Sequence, residues 1–413
     1  MFTIGFCGMS HLGLCYSVAA AAKGFKVICF DYDSQKISKL KKYNIEIEEQ
    51  NLNKLIQKNK QKIIYTDDLS SLSDCSFVYY SSDVNTDNKG NSDKKELKNN
   101  LEKLILNLEI NIPLIILSQV PPGFTRKYLK IKNNIYYQVE TLIFGEAIFR
   151  ALNPERFIVG VKNSDDSLPI SINQFLEAFN CPILIMNYES AELAKIAINC
   201  YLASSVSTTN TLAEISNKIG ANWDDIVPTL RLDRRIGKYA YLSPGLGLAG
   251  GNIERDLNTI EVIGNKISSN TEFISSIIDL SEYSKKWLYR TIKPYINNDN
   301  NICILGLSYK ENTNSIKNSA SLELIKKIKN YSINVYDPLV KKIDVGRIKF
   351  KTSINTAIKG SDILVIATPW DEFKSLDLRK IKSLMKGNII LDPYRVFDEE
   401  LSLRLGFIYY SIG

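Results

Sequence analysis

The chain has 413 residues, of which 45% are hydrophobic and 23% charged, and its formal net charge at pH 7 is +7. This length and apolar content suffice for substantial buried cores and indicate two or three domains. Lysines dispersed among acidic residues supply most of the charge, without a compact basic arm, which argues against nucleic-acid binding.

Cysteine and histidine content argues against disulfide and metal chemistry. Seven cysteines without a CxxC pair indicate free thiols in a reducing compartment. With His11 as the single histidine, no zinc motif is present, and we expect no metal. The first 22 residues carry no charged side chain, but the missing basic region and the glycines Gly5, Gly8 and Gly13 argue against a signal peptide or membrane span. We therefore expect a cytoplasmic enzyme that does not contact a membrane.

Strands and helices alternate in the first part of the chain. FTIGFC predicts a buried strand, LGLCYSVAAAAKG a helix that ends at Gly24, and FKVICFD a second strand. The apolar runs SFVYYSS and PLIILSQV, separated by lysine-rich helical stretches, continue the βαβ pattern of a parallel sheet covered on both faces.

A long helical pattern without Pro or Gly follows, from Glu189 to about Ile219, or about 45 Å at 1.5 Å per residue. NICILGLSYK then begins a second alternating block, with the helix SLELIKKIKNY and the strands INVYDP, DILVIATP and NIILDP. The sequence thus predicts an α/β fold in which two Rossmann-like doubly wound parallel-sheet domains, 1–185 and 298–413, are joined by a central helical region, 186–297. The long helix is suited to joining domains and supporting a dimer.

The opening loop GMSHLG has the outline of a dinucleotide-binding turn. Gly8 and Gly13 occupy the first and third glycine positions, and Ser10 occupies the second. Asp31 closes the second strand, where an acid binds ribose hydroxyls, and with no Arg beside it favours NAD over NADP. A nucleotide-free structural turn is the alternative. We expect His11 to lie beside the cofactor or substrate rather than to transfer protons.

A second glycine-rich stretch is SPGLGLAGGNIERDL, with its glycines at positions 245, 247, 250 and 251. This spacing lets a backbone wrap closely around a ligand and then enter a helix. Four of the twelve arginines lie here or just upstream: Arg231, Arg234, Arg235 and Arg255. Arg where lysine is the usual cation indicates forked recognition of phosphate or carboxylate. A solvated helix end with a flexible turn is the alternative.

Further motifs follow one another in a fixed order: VETLIFGEAIFRALNPERFIVG, ELAKIAINCYLA, DRRIG, PGLGLAGGNIERD, GLSYKENTNSIKNS, VYDP, TPWDEF and LGFIYYSIG. Together they resemble the UDP-glucose/GDP-mannose dehydrogenase family along the entire chain. For example, PGLGLAGGNIERD is similar to the family's PGxGxGGxCxxKD loop. The resemblance implies an N-terminal NAD-binding domain, a central domain with the glycine-rich substrate loop, and a C-terminal domain that binds a nucleotide-sugar.

The family chemistry that the resemblance implies is two successive oxidations of a sugar C6 alcohol by two NAD molecules, with the aldehyde caught by a cysteine thiolate. Lys195 and Asn199 would stabilise the developing oxyanion; four residues apart on a helix, both can donate to one oxygen. Asp256 would order a water or take the proton, and Glu140 would assist water in hydrolysis. Without the other motifs, a surface pair between Glu192 and Lys195 is the alternative.

We expect a nucleotide-sugar substrate, NAD as the cofactor, and a homodimer formed through the long helix. Arg235 would reach the nucleotide-sugar across the dimer interface. The predicted cofactor-binding residues are Gly8, Ser10, His11, Leu12, Gly13, Asp31, Ser82, Gln119 and Lys317. The predicted substrate-binding residues are Arg235, Tyr241, Gly247, Gly250 and Lys310.

The departures from the family pattern are specific. Asn252 stands at the position of the nucleophilic cysteine and cannot form a thiohemiacetal. Cys200 cannot simply replace it, because it follows Asn199 by one residue and points about 100° away on the helix. The family's Ser-Thr-x-Pro reads Ser118-Gln119-Val120-Pro121 here, so its threonine is replaced by glutamine. The other changes are Phe144 for a Glu, Arg255 for a Lys, and Lys317–Asn318 for an Arg-Glu pair.

Three hypotheses remain open. The chain removes one hydride and stops at an aldehyde or ketone; or it reaches the acid through a hydrated aldehyde held by Asn252, Lys195 and Asp256; or it binds a nucleotide-sugar without turnover. Retention of Lys195, Asn199, Asp256 and Glu140 together argues against a decayed site.

Overall fold

The computed structural model describes residues 2–87, 92–297, 299–343, 345 and 348–413. Within these residues the chain divides into two compact units, of which the first extends to Ala197 and the second begins at Ile198. Each unit contains a β-sheet with helices packed against it.

The described part of the first unit contains ten strands. They are β1 (Thr3–Cys7), β2 (Lys26–Phe30), β3 (Ile63–Thr66), β4 (Phe77–Tyr80), β5 (Asn85–Thr86), β6 (Ser92–Asp93), β7 (Leu114–Ile116), β8 (Ile135–Gln138), β9 (Phe157–Val161) and β10 (Ile183–Asn187). Eight of these described strands form one sheet in the order β10-β9-β8-β7-β4-β1-β2-β3, and β5 pairs with β6. The run from β3 to β8 follows the strand order of a dinucleotide-binding fold.

The sheet of the first unit is not entirely parallel. Strand β8 pairs with β9 in the antiparallel direction, with Tyr137 opposite Gly160. The other described strand pairs of this sheet are parallel. Antiparallel strands beside a parallel sheet are common at the edge of large α/β folds. The predicted parallel sheet therefore continues into a mixed extension.

Six α-helices lie entirely within the described part of the first unit, besides three short 3₁₀ helices. They are α1 (His11–Ala22), α2 (Ser34–Lys41), α3 (Leu52–Asn59), α4 (Lys95–Asn107), α5 (Ala147–Leu152) and α6 (Ile170–Glu177). The uncharged helix α1 is buried from Leu12 to Ala21. Its side chains join the apolar residues of β1 and β4 in one hydrophobic core, which explains why the start of the chain carries no charge.

The helix α7 (Tyr188–Ile219) has 32 residues and confirms the predicted long helix. The boundary between the two units falls within it. The helices that follow in the second unit are α8 (Trp223–Leu232), α9 (Asn252–Lys266), α10 (Glu272–Lys285), α11 (Trp287–Ile292), α12 (Ala320–Lys327), α13 (Ile354–Ile358), α14 (Asp371–Lys374), α15 (Leu378–Leu384) and α16 (Glu399–Arg404).

The second sheet is parallel throughout its described residues. Its strands are β11 (Asn301–Leu305), β12 (Ser332–Tyr336), β13 (Ile348–Phe350), β14 (Ile363–Ile366), β15 (Ile389–Leu391) and β16 (Ile408–Tyr410). Their order, β13-β12-β11-β14-β15-β16, is that of a Rossmann fold. The predicted α/β fold, with two parallel-sheet domains and a central helical region, is confirmed. No helix in the described ranges is both long enough and apolar enough to cross a membrane.

Candidate functional site

The opening loop forms a tight turn that only glycine fits at two places. Gly8 has a φ of +103° and donates its N–H to the Phe30 carbonyl at 2.8 Å. A Cβ on Gly13 would lie 1.9 Å from the Gly8 carbonyl oxygen, so α1 can approach β1 only with glycine there. This close approach of backbone to backbone is what a pyrophosphate cradle at a helix N-terminus requires. The residues present therefore fit a dinucleotide.

Ser10 ties this loop to the end of β4. Its hydroxyl donates to the Ser81 carbonyl at 3.0 Å and accepts from the Asp83 N–H at 3.1 Å. Ser82 lies directly against the turn, since a Cβ on Gly8 would be 2.3 Å from its hydroxyl oxygen. The predicted cofactor residues Gly8, Ser10 and Ser82 are thus neighbours, whereas Leu12 is buried beneath them in the core.

Asp31 is buried at the end of β2 and is held by three donors. One carboxylate oxygen accepts from the Met9 N–H at 2.7 Å and from Lys36 Nζ at 2.9 Å, and the other accepts from the Asp33 N–H at 2.9 Å. Gly8, Asp31 and Lys36 line a cavity of about 230 Å³. Lys36 was not predicted from the sequence as a neighbour of this cavity. The local sign of it is its place in the first turn of α2, the helix that follows Asp31.

His11 begins α1, and its ring contacts two residues from distant parts of the unit. Nε2 lies 2.7 Å from Glu49 Oε1, and the ring centroid is 4.3 Å from that of Phe144. Phe144 thus packs on the end of the cofactor loop. Glu49 was not predicted from the sequence, because its segment between α2 and α3 carries no local sign of a contact with His11.

Glu140 and Lys195 form an ion pair of 2.9 Å, and each side chain is 12% exposed. The alternative partner, Glu192, is fully buried and accepts from the N–H groups of Gly123 and Thr125 at 2.5 and 2.8 Å. Glu192 therefore anchors the loop that follows β7, while Lys195 lies against the acidic residue that the resemblance assigns to hydrolysis.

The same loop carries the predicted residue Gln119. Ser118 precedes it and donates its hydroxyl to the Ser82 carbonyl at 2.6 Å. Gln119 itself is partly buried. This hydrogen bond joins the loop after β7 to Ser82, which lies against Gly8. Gln119 is the next residue in that loop and therefore lies close to the cofactor turn.

In the second unit, Asn199 and Asp256 are joined by a buried hydrogen bond. Asn199 Nδ2 donates to Asp256 Oδ2 at 2.5 Å, and Arg255 Nε lies 3.5 Å from the other carboxylate oxygen. Burial, followed by the charge of Asp256, raises the pKa of the Cys200 thiol to about 11. Cys200 is therefore a neutral thiol near pH 7 and a poor nucleophile.

Three glycines of the glycine-rich loop in the second unit have a positive, left-handed φ: Gly247, Gly250 and Gly251. A Cβ on Gly250 would lie 2.8 Å from the Tyr309 ring, and one on Gly251 would lie 2.7 Å from the Lys317 side chain. The Gly250 N–H also donates to the Lys317 carbonyl at 3.0 Å. The loop is thus fitted to the segment that carries the predicted residues Lys310 and Lys317.

Asn252 follows this loop as the first residue of α9, and it is exposed. Lys310 lies near the same loop, with Nζ 6.0 Å from the centroid of the Tyr309 ring. A polar side chain at this position stands at the positive end of a helix of 15 residues.

The remaining substrate predictions lie on the surface of the second unit. Arg235 is 88% exposed at its side chain and forks onto Asp233, with distances of 3.0 and 2.6 Å. Tyr241 is 43% exposed, and its carbonyl accepts from the Thr209 hydroxyl at 2.8 Å. Among the described residues, no group of three or more His, Cys, Asp or Glu could hold a metal ion.

Known proteins with related sequences match almost the whole chain. The UDP-glucose 6-dehydrogenase of Rickettsia typhi is 30% identical over 99% of this chain and 99% of its own length. The UDP-glucose 6-dehydrogenase TuaD of Bacillus subtilis is 28% identical over 100% of this chain and 93% of its own. A UDP-glucose dehydrogenase structure from Pyrobaculum islandicum has the same fold, with a TM-score of 0.87 at 19% identity over 99% and 97% of the two chains.

Three family models match consecutive parts of the chain. They are the NAD binding domain, the central domain and the UDP binding domain of the UDP-glucose/GDP-mannose dehydrogenase family, at residues 2–177, 189–283 and 303–399. The predicted resemblance and the predicted cofactor are confirmed by these matches. The chain belongs to the UDP-glucose/GDP-mannose dehydrogenase family, whose members are NAD-dependent oxidoreductases acting on CH–OH groups.

Proposed function

We propose that this chain is a nucleotide-sugar dehydrogenase that removes one hydride from a sugar alcohol and lacks the thioester half of the reaction. Two observations carry this proposal: the nearly buried ion pair Lys195–Glu140 and the buried hydrogen bond Asn199–Asp256. Both are present although Asn252, at the start of α9, stands where the family has its cysteine. Charged side chains in such environments are costly and mark functional sites.

The first unit supplies what a bound NAD needs. The turn at Gly8 and Gly13 would admit the pyrophosphate at the start of α1, and Asp31 would accept from the ribose hydroxyls. Ser82 and Gln119 would line the same site. NAD accepts the hydride when it is bound. Lys317 as a further cofactor contact stays a prediction from the resemblance.

The chain's own side chains would stabilise the oxygen from which the proton leaves. Lys195 and Asn199 lie four residues apart on α7 and share one face of that helix, so both would donate to the developing oxyanion. Asp256, already bonded to Asn199, would take the hydroxyl proton or order the water that takes it. The products are NADH, a proton and a carbonyl compound.

Neither Asn252 nor Cys200 is suited to covalent capture of that carbonyl. The amide of Asn252 is not a nucleophile toward an aldehyde, and the pKa of Cys200, raised to about 11, keeps its thiol protonated near pH 7. The second candidate function avoids capture. Water would add to the aldehyde with help from Glu140, and the hydrate would lose a second hydride, giving the acid and two NADH per sugar.

The third candidate is a nucleotide-sugar binding subunit without turnover. It differs from the other two in one observable, because it binds a nucleotide-sugar but forms no NADH. The exposure of Asn252 does not distinguish the binding subunit from the two dehydrogenase candidates. The buried hydrogen bond between Asn199 and Asp256 argues against a decayed site, and therefore against the binding subunit.

For the substrate we propose a UDP-sugar. The match of residues 303–399 to a UDP binding domain supports the UDP group, and relatives named UDP-glucose 6-dehydrogenase support a hexose with an alcohol at C6. Gly247, Gly250 and Lys310 would line the sugar site, and Tyr241 would pack near it. We also propose three domains, 1–185, 186–297 and 298–413. One family match lies within each of them, at residues 2–177, 189–283 and 303–399.

Dimerisation through α7 is part of the proposal. Arg235 would then reach the nucleotide-sugar of the partner subunit, and its exposed guanidinium is consistent with a role outside its own unit. A bidentate fork suits a phosphate or carboxylate.

The decisive experiment combines purified protein, NAD and a panel of UDP- and GDP-sugars, with absorbance of the reduced nicotinamide as the signal. One NADH per sugar with a carbonyl product supports the single oxidation, and two with an acid product support the hydrate route. Tight sugar binding without NADH supports the binding subunit. Absence of both NADH formation and nucleotide-sugar binding would contradict all three.

A further inference from the structure

Glu49 joins two segments that are distant in the sequence. It lies between α2 and α3, and its side chain is 0% exposed. Oε1 accepts from His11 Nε2 at 2.7 Å and from the Gly145 N–H at 2.8 Å, and Oε2 accepts from the Ala147 N–H at 3.1 Å. One carboxylate therefore connects the first turn of α1 to the start of α5.

Both connected segments carry residues of the candidate site. His11 lies within the GMSHLG loop, directly after Ser10 at the start of α1. The segment that ends at Ala147 begins shortly after β8 with Glu140, which pairs with Lys195. Because one buried carboxylate binds both, the cofactor loop and the Glu140 segment cannot move independently without breaking its hydrogen bonds.

The charge of Glu49 is maintained by its partners. Burial raises the pKa of this carboxyl, but the hydrogen bonds from His11, Gly145 and Ala147 outweigh burial and leave the pKa below its ordinary value. A buried carboxylate without these donors would be strongly unfavourable. Glu49 is therefore ionised near pH 7 and lies directly against the imidazole of His11.

The charged and titratable groups around His11 are mainly acidic. Asp83, which follows β4, interacts electrostatically with His11, and Glu140 in turn interacts with Asp83. Phe144 contributes an uncharged ring. Burial raises the pKa of the Asp83 carboxyl. His11 stands at the N-terminus of α1, where an anionic pyrophosphate is favoured, and Glu49 fixes the direction of its ring.

We propose that Glu49 is a positioning residue that holds the cofactor loop against the Glu140 segment through His11, so that affinity for a dinucleotide falls when the Glu49 carboxylate is removed. Without it, the His11 ring and the N–H groups of Gly145 and Ala147 lose their common acceptor. This coupling depends on the NAD-binding role of the loop and not on which sugar is oxidised.

Calorimetric titration of NADH against the natural chain and its variants tests this coupling. Glu49→Ala removes the acceptor of all three hydrogen bonds, and Glu49→Gln keeps one acceptor oxygen. For Glu49→Ala we expect the Kd of NADH to rise by about fivefold or more, the lower range of typical coupling energies, while the Kd of a UDP-sugar stays as in the natural chain. Glu49→Gln should lose less affinity for NADH than Glu49→Ala.

Glu46→Gln is the matched control, because Glu46 lies in the same segment with a side chain that is 70% exposed and paired with Lys39. It should bind NADH with the Kd of the natural chain. An unchanged Kd of NADH in Glu49→Ala, or an equal loss of affinity for NADH and for the UDP-sugar, would overturn the proposal. Failure of the natural chain to bind NADH would instead refute the cofactor role of the loop.

The single histidine allows a test that needs no variant, in case Glu49→Ala does not fold. Histidine labelled with ¹⁵N gives the ring signals of His11 alone, which can be recorded with and without NADH. Because Glu49 holds this ring at the cofactor loop, binding of NADH should shift its signals. Ring signals that NADH leaves in place would overturn the coupling.

Discussion

Lys195 Nζ lies 2.9 Å from Glu140 Oε1, and both side chains are almost buried. An ion pair in such a place fixes the direction of the ammonium. Lys195 lies on α7, one turn before Asn199, so the two residues share one face of that helix. Removing one member leaves the other charge without its partner.

Replacing Lys195 by Ala should lower turnover by about 10²-fold or more, because a preorganised donor to the oxyanion is lost. The measurement is the initial rate of NADH formation with the sugar that gives the highest rate. Lys218→Ala is the control, since Lys218 lies on the same helix with a side chain that is 69% exposed. Unchanged turnover in Lys195→Ala would contradict the assigned role.

Replacing Asp31 by Ala should weaken NADH binding by about tenfold, since the acceptor for ribose hydroxyls and the partner of Lys36 are both lost. Affinity for a UDP-sugar should stay as in the natural chain. Calorimetry with each ligand in turn separates the two effects. An equal loss for both ligands would mean that the substitution disturbs folding rather than the cofactor site.

Replacing Arg235 by Lys should raise the KM for the nucleotide-sugar by about fivefold or more, because lysine cannot form the bidentate fork. Turnover at saturating sugar and the KM for NAD should change little. Arg231→Lys, an exposed arginine in the preceding helix, serves as the matched control. If Arg235→Lys is silent, Arg235 does not clamp an anion.

Replacing Asn252 by Cys should create a second oxidation. The first residue of α9 stands at a helix N-terminus, which lowers the pKa of a cysteine and favours its thiolate. The ratio of NADH formed to sugar consumed should then rise from one toward two, with acid among the products. A ratio that stays at one, with the same carbonyl product, would mean that the pocket no longer supports covalent capture.

Lys285 should make stability depend on alkaline pH. Burial lowers the pKa of this lysine, but Glu254 at 2.6 Å and Glu282 at 2.8 Å outweigh burial and raise it. Its contribution is therefore complete below the unfolded value of about 10.4 and is lost as the pH rises through the folded value. Near pH 7, Lys285→Gln should reduce the free energy of unfolding by about 3 kcal/mol.

Urea unfolding at several pH values measures this effect. The difference between the natural chain and Lys285→Gln should shrink above about pH 10.4, where the folded chain begins to lose its advantage. Lys286→Gln, at an exposed neighbouring lysine, should be close to neutral at every pH. A difference that is constant with pH would exclude the ion pairs as its cause.

Much of the fold could be predicted from the sequence because its signals are local. The uncharged run that became β1 and α1, and the unbroken helical pattern of α7, are each contained in one contiguous stretch. The cofactor turn is similar, since Gly8, Gly13 and Asp31 belong to one βαβ unit whose spacing is set by the lengths of its elements. The antiparallel pairing of β8 with β9 was not expected, because strand direction depends on the path of the connecting segments.

The sequence by itself determined the α/β architecture, the family and the residue types available for chemistry. Hydrophobic periodicity and the spacing of motifs are properties of the sequence and can be read before the fold is known. Only the tertiary structure decided which carboxylate meets which donor. Glu49 reaches His11 across 38 residues, and Glu192 reaches Gly123 across 69. Such pairs depend on how separate strands and helices pack, and a single sequence carries no local signal of that distance.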